Sequence, residues 1–415
     1  EAMLELFAKR EPIDILSLSS KLKEKGLLER VGGASFLTEL TTTVPSSANI
    51  KHYAEIVRKK FMMRELIDAS EYISHLGFNE AGELENILDQ AEKKIFDITQ
   101  HFSSSENFKD LTPLLQEAFE RFDKLSSAEH ELRGVPTGFK SLDDILGGFQ
   151  KSDLIILAAR PSVGKTAFAL DVARRTASQN KTPIGIFSLE MSADQLVDRI
   201  VSAQSKVDAS VIRKGVRTQQ GSWRDDIFKN ISTALDDLSR TPIYIDDQSG
   251  NTIMKMRSAA RKLKIEKGLQ LLVVDYLQLM APTNARAGDN MVQQITEISR
   301  GLKHMARELQ IPVLALSQLS RAVETRGGKP KLSDLRDSGS IEQDADLVMF
   351  IHAEEDGIRD ESGKMKEVQR KSLIIAKHRN GPLGEVVLDY HTRNNTFVEI
   401  DYSNYGKAEE EFKSF

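Results

Sequence analysis

The chain has 415 residues, more than one ordinary domain holds, and its 40% hydrophobic and 29% charged residues exclude a disordered or fibrous protein. It contains no cysteine, which rules out disulfides, thiolate zinc sites and cysteine nucleophiles, and its 8 histidines are scattered without metal-ligand spacing. A net charge of −5 argues against a surface coated in nucleic acid but leaves room for a local basic groove or a ring channel, because the field that acts on a ligand is local.

The chain opens at Glu1 without the basic start and apolar run of a signal peptide and without an initiator Met, so the native start is expected upstream. Residues 1–100 read as an all-α N-terminal domain. Leu16, Leu18 and Leu22 begin an amphipathic stretch that Gly26 ends. From Ile50 to about Leu76, Tyr53, Ile56, Val57, Phe61 and Leu66 fall near helical spacing, and a third run, Leu84 to Ile98, carries Ile87, Leu88, Ala91 and Ile95. Thr41 to Ser47 reads as a loop. Residues 101–133 form a linker with a docking helix: a serine-rich start, then Leu111, Leu114, Leu115, Ala118, Phe119, Phe122 and Leu125 on one apolar stripe. That stripe must dock, either on its own domain or on a neighbouring subunit.

From Gly134 the pattern alternates strand and helix up to residue 402. Leu154–Ala159, Ile184–Leu189, Ile243–Ile245, Leu271–Leu277, Val313–Ser317 and Leu347–His352 are the expected strands, mostly separated by helical segments. This is the signature of an α/β domain with a mostly parallel central sheet covered on both faces. Ser372–Ala376, Glu385–Tyr390 and Phe397–Ile400 read as further strands at a sheet edge, with Gly381-Pro382 turning between the first two. Residues 403–415 are a charged tail. No apolar run approaches the ~18 residues of a membrane span, so a cytoplasmic protein with no membrane partner is expected.

The densest chemical signal is Ala159-Arg160-Pro161-Ser162-Val163-Gly164-Lys165-Thr166, set between an apolar strand and a helix. That context is a Walker A loop, whose backbone N–H groups wrap phosphate oxygens. The following helix N-terminus adds positive potential. Lys165 is expected on the β- and γ-phosphates of ATP and Thr166 on Mg²⁺. Ala159 stands where the usual pattern has its first Gly, which fits if that position needs no positive φ. Three further strand tips carry chemistry. Asp275 ends Leu271–Asp275 in the Walker B manner and is expected to bind the Mg²⁺ shell. Glu190 follows a strand and precedes a capping box from Ser192 to Gln195, which suits a base that orients water; the other reading is an acid that complements a helix dipole. Gln318 follows Val313–Ser317 and can hydrogen-bond a γ-phosphate. Downstream, Arg321, Arg326, Lys329, Lys331 and Arg336 alternate with Glu324, Asp334 and Asp337 in a glycine-containing stretch without aromatics. Such a stretch is either a solvated surface loop or, where it meets nucleic acid, one that contacts phosphates rather than stacking on bases, with little sequence preference.

Together these motifs resemble the DnaB replicative helicase family. The segments are Ala158 to Thr166, Phe187 to Met191, Val274 to Gln278, Leu316 to Arg321, the long run Ser333 to Asp346, and Ile375 to Pro382. The resemblance covers nearly the whole chain apart from the family's first residues. It implies a RecA-like P-loop NTPase, preceded by the helical domain and linker helix, that forms a homohexameric ring. The ring would move 5′→3′ on single-stranded DNA and open forked duplex DNA. Primase and a helicase loader are implied as partners by the family alone. Carried over by residue, Glu190 is the base and Gln318 the γ-phosphate sensor. Lys377 and Arg379 act in trans on the next subunit's ATP, Arg199 contacts the nucleotide base, and Arg336, Asp337 and Gly339 form the DNA-backbone loop. Two rivals share the ATP core: a RecA-like recombinase, which forms filaments, and a KaiC-like ATPase scaffold, which forms rings without DNA. The N-terminal helical domain and linker helix favour a closed ring.

Overall fold

The computed structural model describes residues 2–43, 50–78, scattered positions between 87 and 120, and then 132–215, 222–248, 252–277, 280, 291–320, 323, 326–335, 339–353 and 366–400. The chain divides into two compact units, Glu1–Phe119 and Glu120–Phe415.

The N-terminal unit is helical, with α1 Ala2–Ala8, α2 Ile15–Glu24, α3 Gly33–Thr43 and α4 Ile50–Phe78. Asp14 caps α2 by accepting from the Ser17 N–H at 2.8 Å, and Gly26, at φ 66, follows its end. Leu6, Leu18, Leu22 and Leu37 form its small core, whereas Leu16 is 82% exposed and lies off the buried stripe. Thr41 to Thr43 are helical, correcting the expected loop. The physical reason is visible in the side chains: the hydroxyls of Thr38 and Thr41 bond back to the carbonyls of Ala34 and Thr38, so the threonines sit within the helix. Residues 44–47 lie outside the described residues. In the third run, Ile87, Gln90, Ala91, Lys94, Ile95 and Ile98 are helical. In the docking helix, Leu111, Leu115 and Phe119 are helical and exposed.

The second unit is built on a nine-stranded sheet. Its strands are β1 Leu154–Ala159, β2 Ile184–Ser188, β3 Ile243–Asp246, β4 Leu271–Asp275, β5 Val313–Gln318, β6 Leu347–His352, β7 Val368–His378, β8 Gly384–His391 and β9 Thr396–Glu399. The order is β3-β2-β4-β5-β1-β6-β7-β8-β9; β3 through β6 in that order run parallel, and β7, β8 and β9 extend the sheet antiparallel. The helices are α5 Lys140–Leu146, α6 Lys165–Asn180, α7 Ala193–Ser205, α8 Ala209–Lys214, α9 Ser222–Ser239, α10 Ile253–Lys267, α11 Met291–Leu309 and α12 Gly339–Asp344. Successive residues of β1 supply opposite faces of the sheet. Ile155 and Leu157 join Phe168 and Val172 of α6, while Leu154 and Ile156 join Met256 of α10 and Leu302 and Met305 of α11. Burial on both faces is why the parallel strands are continuously apolar.

Strand ends differ from expectation by a few residues. β4 stops at Asp275, two residues short of Leu277, and β7 starts at Val368, four residues before Ser372. The early part of β7 alternates exposed Val368 and Arg370 with buried Gln369 and Lys371, inverting the usual apolar-in pattern. β7 also lies within the sheet, between β6 and β8, and only β9 forms that edge.

Candidate nucleotide site

The carboxyl ends of β2, β4, β5 and β1, four neighbours in the sheet, converge on one cavity of about 450 Å³. Pairing fixes the neighbours: Ser188 lies beside Asp275, and Ala159 beside Gln318. In an open parallel sheet such a crevice is where ligands bind. Ala159, Arg160, Pro161, Ser162, Gly164, Lys165, Thr166, Glu190, Arg199 and Gln318 all line the cavity. Ala159 is the last residue of β1, buried and extended, so its side chain replaces glycine without strain. The positive φ values fall instead on Ser162 (65°) and Gly164 (110°). Val163 does not line the cavity; its side chain packs against the core.

Lys165 and Thr166 open α6, and both reach Asp275. The Thr166 hydroxyl donates to Oδ2 at 2.8 Å, and the Lys165 ammonium lies 3.9 Å from Oδ1 and 4.4 Å from the centre of the Tyr276 ring. Asp275 is 3% exposed, and its Oδ1 is buried without a hydrogen-bond donor. Burial lowers the Lys165 pKa, against the pull of Asp275 and Glu190. Burial likewise raises that of Asp275, against Lys165 and Thr166. Both groups are therefore charged at a cost that a bound polyphosphate and a cation would relieve. A buried carboxylate oxygen with no donor, beside a threonine hydroxyl, fits the shell of Mg²⁺, which takes few protein ligands and leans on substrate phosphates. Among the described residues there is no cluster of three or more His, Cys, Asp or Glu side chains that would hold a metal by themselves.

Glu190 is exposed, lines the cavity and precedes α7. Its helix is capped by Ser192, whose N–H donates to Gln195 at 3.3 Å, and the acid in the first turn is Asp194. The dipole-complementing position is thus taken by another residue. Arg160 donates to the Leu319 carbonyl at 3.1 Å, tying the phosphate loop to the segment that follows Gln318.

Lys377 and Arg379 do not join this cavity. Lys377 pairs with Val348 and Arg379 lies just past the pairing of Leu347 with His378, at the amino end of the parallel strands. Lys377 donates to the Glu342 carbonyl, and Arg379 donates to Asp346 Oδ1 at 3.1 Å and to the Gln343 carbonyl at 2.6 Å. Neither can serve the cavity of its own chain, about 20 Å away along β7 at ~3.3 Å per residue. Gly339 opens α12, while Arg336 and Asp337 lie outside the described residues.

Sequence reasoning missed Tyr276, Tyr390 and Asn395, which also line the cavity. Tyr390 donates to Asn395 at 2.9 Å. The Arg393-Asn394-Asn395 run, with Asn395 at φ 52, carries the signal of a hairpin turn. Nothing local says that this turn reaches the phosphate loop. Asp171 on α6 makes that connection: 1% exposed, it accepts from the Phe397 N–H at 2.6 Å, the Thr396 hydroxyl at 2.9 Å and Arg174 at 2.8 Å.

The family model of the DnaB-like helicase C terminal domain matches residues 134–399, and that of the DnaB-like helicase N terminal domain matches residues 1–59. Replicative DNA helicase DnaC of Bacillus subtilis (strain 168) is 43% identical over 401 residues, 96% of this chain and 86% of the relative. Replicative DNA helicase DnaB of Geobacillus stearothermophilus is 42% identical over the same shares. Among solved structures, a DnaB-like replicative helicase described with its primase interactions aligns with a TM-score of 0.75 at 32% identity, over 96% of this chain and 90% of that one. A second solved structure, an isolated ATPase domain, aligns with a TM-score of 0.63 at 36% identity, over 71% of this chain and 100% of that one. With a phosphate loop at the carboxyl edge of a RecA-like sheet, and with these matches along nearly its full length, the chain belongs to the DnaB-like replicative helicase family of ATP-dependent DNA helicases.

Proposed function

We propose that the chain hydrolyses ATP at the interfaces of a homohexameric ring and uses it to move 5′→3′ on single-stranded DNA, opening forked duplex ahead of it. The observation that carries the reading is the separation of two charged sets on one sheet. Lys165, Thr166, Glu190 and Gln318 line the cavity at one end with Asp275 held against Thr166 and Lys165, and Lys377 and Arg379 stand at the other, where only a second subunit's nucleotide could meet them. In this reading residues 159–166 wrap the phosphates of ATP, and Arg199 contacts its base. Thr166 and Asp275 hold Mg²⁺, whose charge offsets that of the β- and γ-phosphates. Glu190 orients the attacking water and takes its proton, and Gln318 hydrogen-bonds the γ-phosphate until it leaves. Lys377 and Arg379 from a neighbour neutralise charge that develops on the transferred phosphoryl group.

The DNA contact falls on Arg336, Asp337 and Gly339. Their segment follows Gln318 in the chain, so loss of the γ-phosphate can change its pose. Backbone N–H groups and one arginine reading phosphates give little sequence preference. The domain limits proposed are 1–100, 101–133, 134–402 and 403–415. Primase and a loader are the further partners, and the site of action is the cytoplasm. No described helix is long and apolar enough to cross a membrane.

The test is ATP turnover with and without single-stranded DNA, for the parent and for Lys165→Ala. DNA should stimulate the parent, and the variant should lose at least ~100-fold of its turnover, the scale of removing one positioned charge from a phosphoryl-transfer site. Turnover left intact in Lys165→Ala, or strand exchange without unwinding of a forked substrate, would sink the proposal.

A further inference from the structure

Lys371 on β7 is 2% exposed and makes no ion pair among the described residues. Its Nζ donates to the Val163 carbonyl at 2.6 Å and lies 3.6 Å from the centre of the Tyr390 ring and 5.8 Å from that of Phe397. A buried amine without a counter-ion is costly, and an apolar side chain of like volume would fill the space with less penalty. What the amine does, and a methyl group could not, is hold one carbonyl of the phosphate loop.

That carbonyl belongs to the peptide joining Val163 to Gly164. A trans peptide is planar, with its C=O and N–H directed oppositely. With the Val163 oxygen turned back to Lys371, the Gly164 N–H is turned away from it, and Gly164 itself lines the cavity. Gly164 also rests on this platform. A Cβ added there would stand 3.1 Å from Phe397 and 3.5 Å from the Lys371 Nζ, and its φ is 110°. Ser162, on the other side of Val163, is at φ 65, a sparsely populated region for a residue with a side chain. Such a residue holds its shape only when its surroundings over-determine it.

We infer that Lys371 is a positioning residue for the nucleotide site: by fixing the Val163 carbonyl it aims the Gly164 N–H at the phosphates before they arrive. A donor set in advance loses little freedom on binding, so the effect belongs to nucleotide affinity. The inference rests on the nucleotide reading of the cavity.

The experiment uses the full chain with mant-ADP and ATP. Lys371→Met and Lys371→Leu both remove the amine but differ in shape. Each should raise the Kd for mant-ADP about tenfold, the worth of one hydrogen bond. The loss should appear in KM for ATP rather than in kcat, with no drop in the unfolding temperature of the nucleotide-free protein. Two variants that bind mant-ADP as tightly as the parent would overturn the inference. So would an affinity loss that follows the unfolding temperature from one variant to the other, because Lys371 would then only fill space. A parent that fails to bind mant-ADP would sink the nucleotide reading itself, a result distinguishable from either.

Discussion

At the residue scale, burial holds Lys165 and Asp275 at the cavity away from their ordinary ionisation, and does the same to Lys371 behind the phosphate loop. Burial pushes its amine down to about 7. In the unfolded chain it titrates in the ordinary lysine range near 10.5. Between these two pH values the unfolded state binds the proton and the folded state does not. Folding stability contributed here is therefore present at high pH and is lost as pH falls towards 7, by up to about 1.4 kcal/mol per pH unit. Below that point both states are protonated and the slope vanishes. Denaturant unfolding can be followed by the fluorescence of Trp223, the single tryptophan, which lies in the second unit. The parent should lose stability relative to Lys371→Met from pH 10 to pH 7 and hold a constant offset below; a difference independent of pH over that range would refute the assignment. Most of the site's residues were legible because they are contiguous or follow a recognisable strand, as with residues 159–166, Asp275, Glu190 and Gln318. Lys371, Tyr390 and Asn395 were not. Each is brought to the loop by antiparallel pairing in β7 to β9, and a lysine in a strand reads as a solvated position until its burial is known.

At the scale of elements, apolar patterning served well for the parallel strands, whose cores are apolar on both faces, and less well where polar residues are buried. β7 begins four residues early because Gln369 and Lys371 point inward, and the helix runs on through Thr41, whose hydroxyl bonds back to the Thr38 carbonyl, to Thr43. The far end of β7 shows what one acid does for several elements. Asp346, 5% exposed, accepts from the Leu154 N–H at 2.8 Å, from Arg379 and from Lys303, joining β1, α11 and the residue that follows β7. Lys377 and Arg379 also donate to the last carbonyls of α12, whose first residue is Gly339. The region proposed to touch DNA and the cations proposed to touch a neighbour's nucleotide are thus attached to opposite ends of one short helix. Asp346→Ala strands two cations and a buried N–H and should cost about 3 kcal/mol in denaturant unfolding. Arg379→Ala removes a side chain that is 49% exposed and should cost less than about 1 kcal/mol. Equal losses in the two variants would mean that Arg379 is held in the structure for stability.

At the scale of the whole molecule, that contrast makes Arg379 a usable probe of assembly, because its removal is expected to leave the fold intact. A net charge of −5 gives the chain no general attraction for DNA, which agrees with a proposed contact made by a few placed groups. A ring also supplies what a single chain lacks, since the distal cations cannot reach their own cavity. If six interfaces fire in sequence, one silent interface stalls the others. Mixing parent and Arg379→Ala subunits in equal amounts would then leave only about 2% of unwinding activity, against about half if each interface works alone. The measurement is unwinding of a forked duplex across a series of mixing ratios, after subunits have exchanged. A steep fall below proportionality supports cations acting in trans within a coupled ring. Loss strictly proportional to the variant fraction would leave the nucleotide site standing and remove the case for sequential hydrolysis around it.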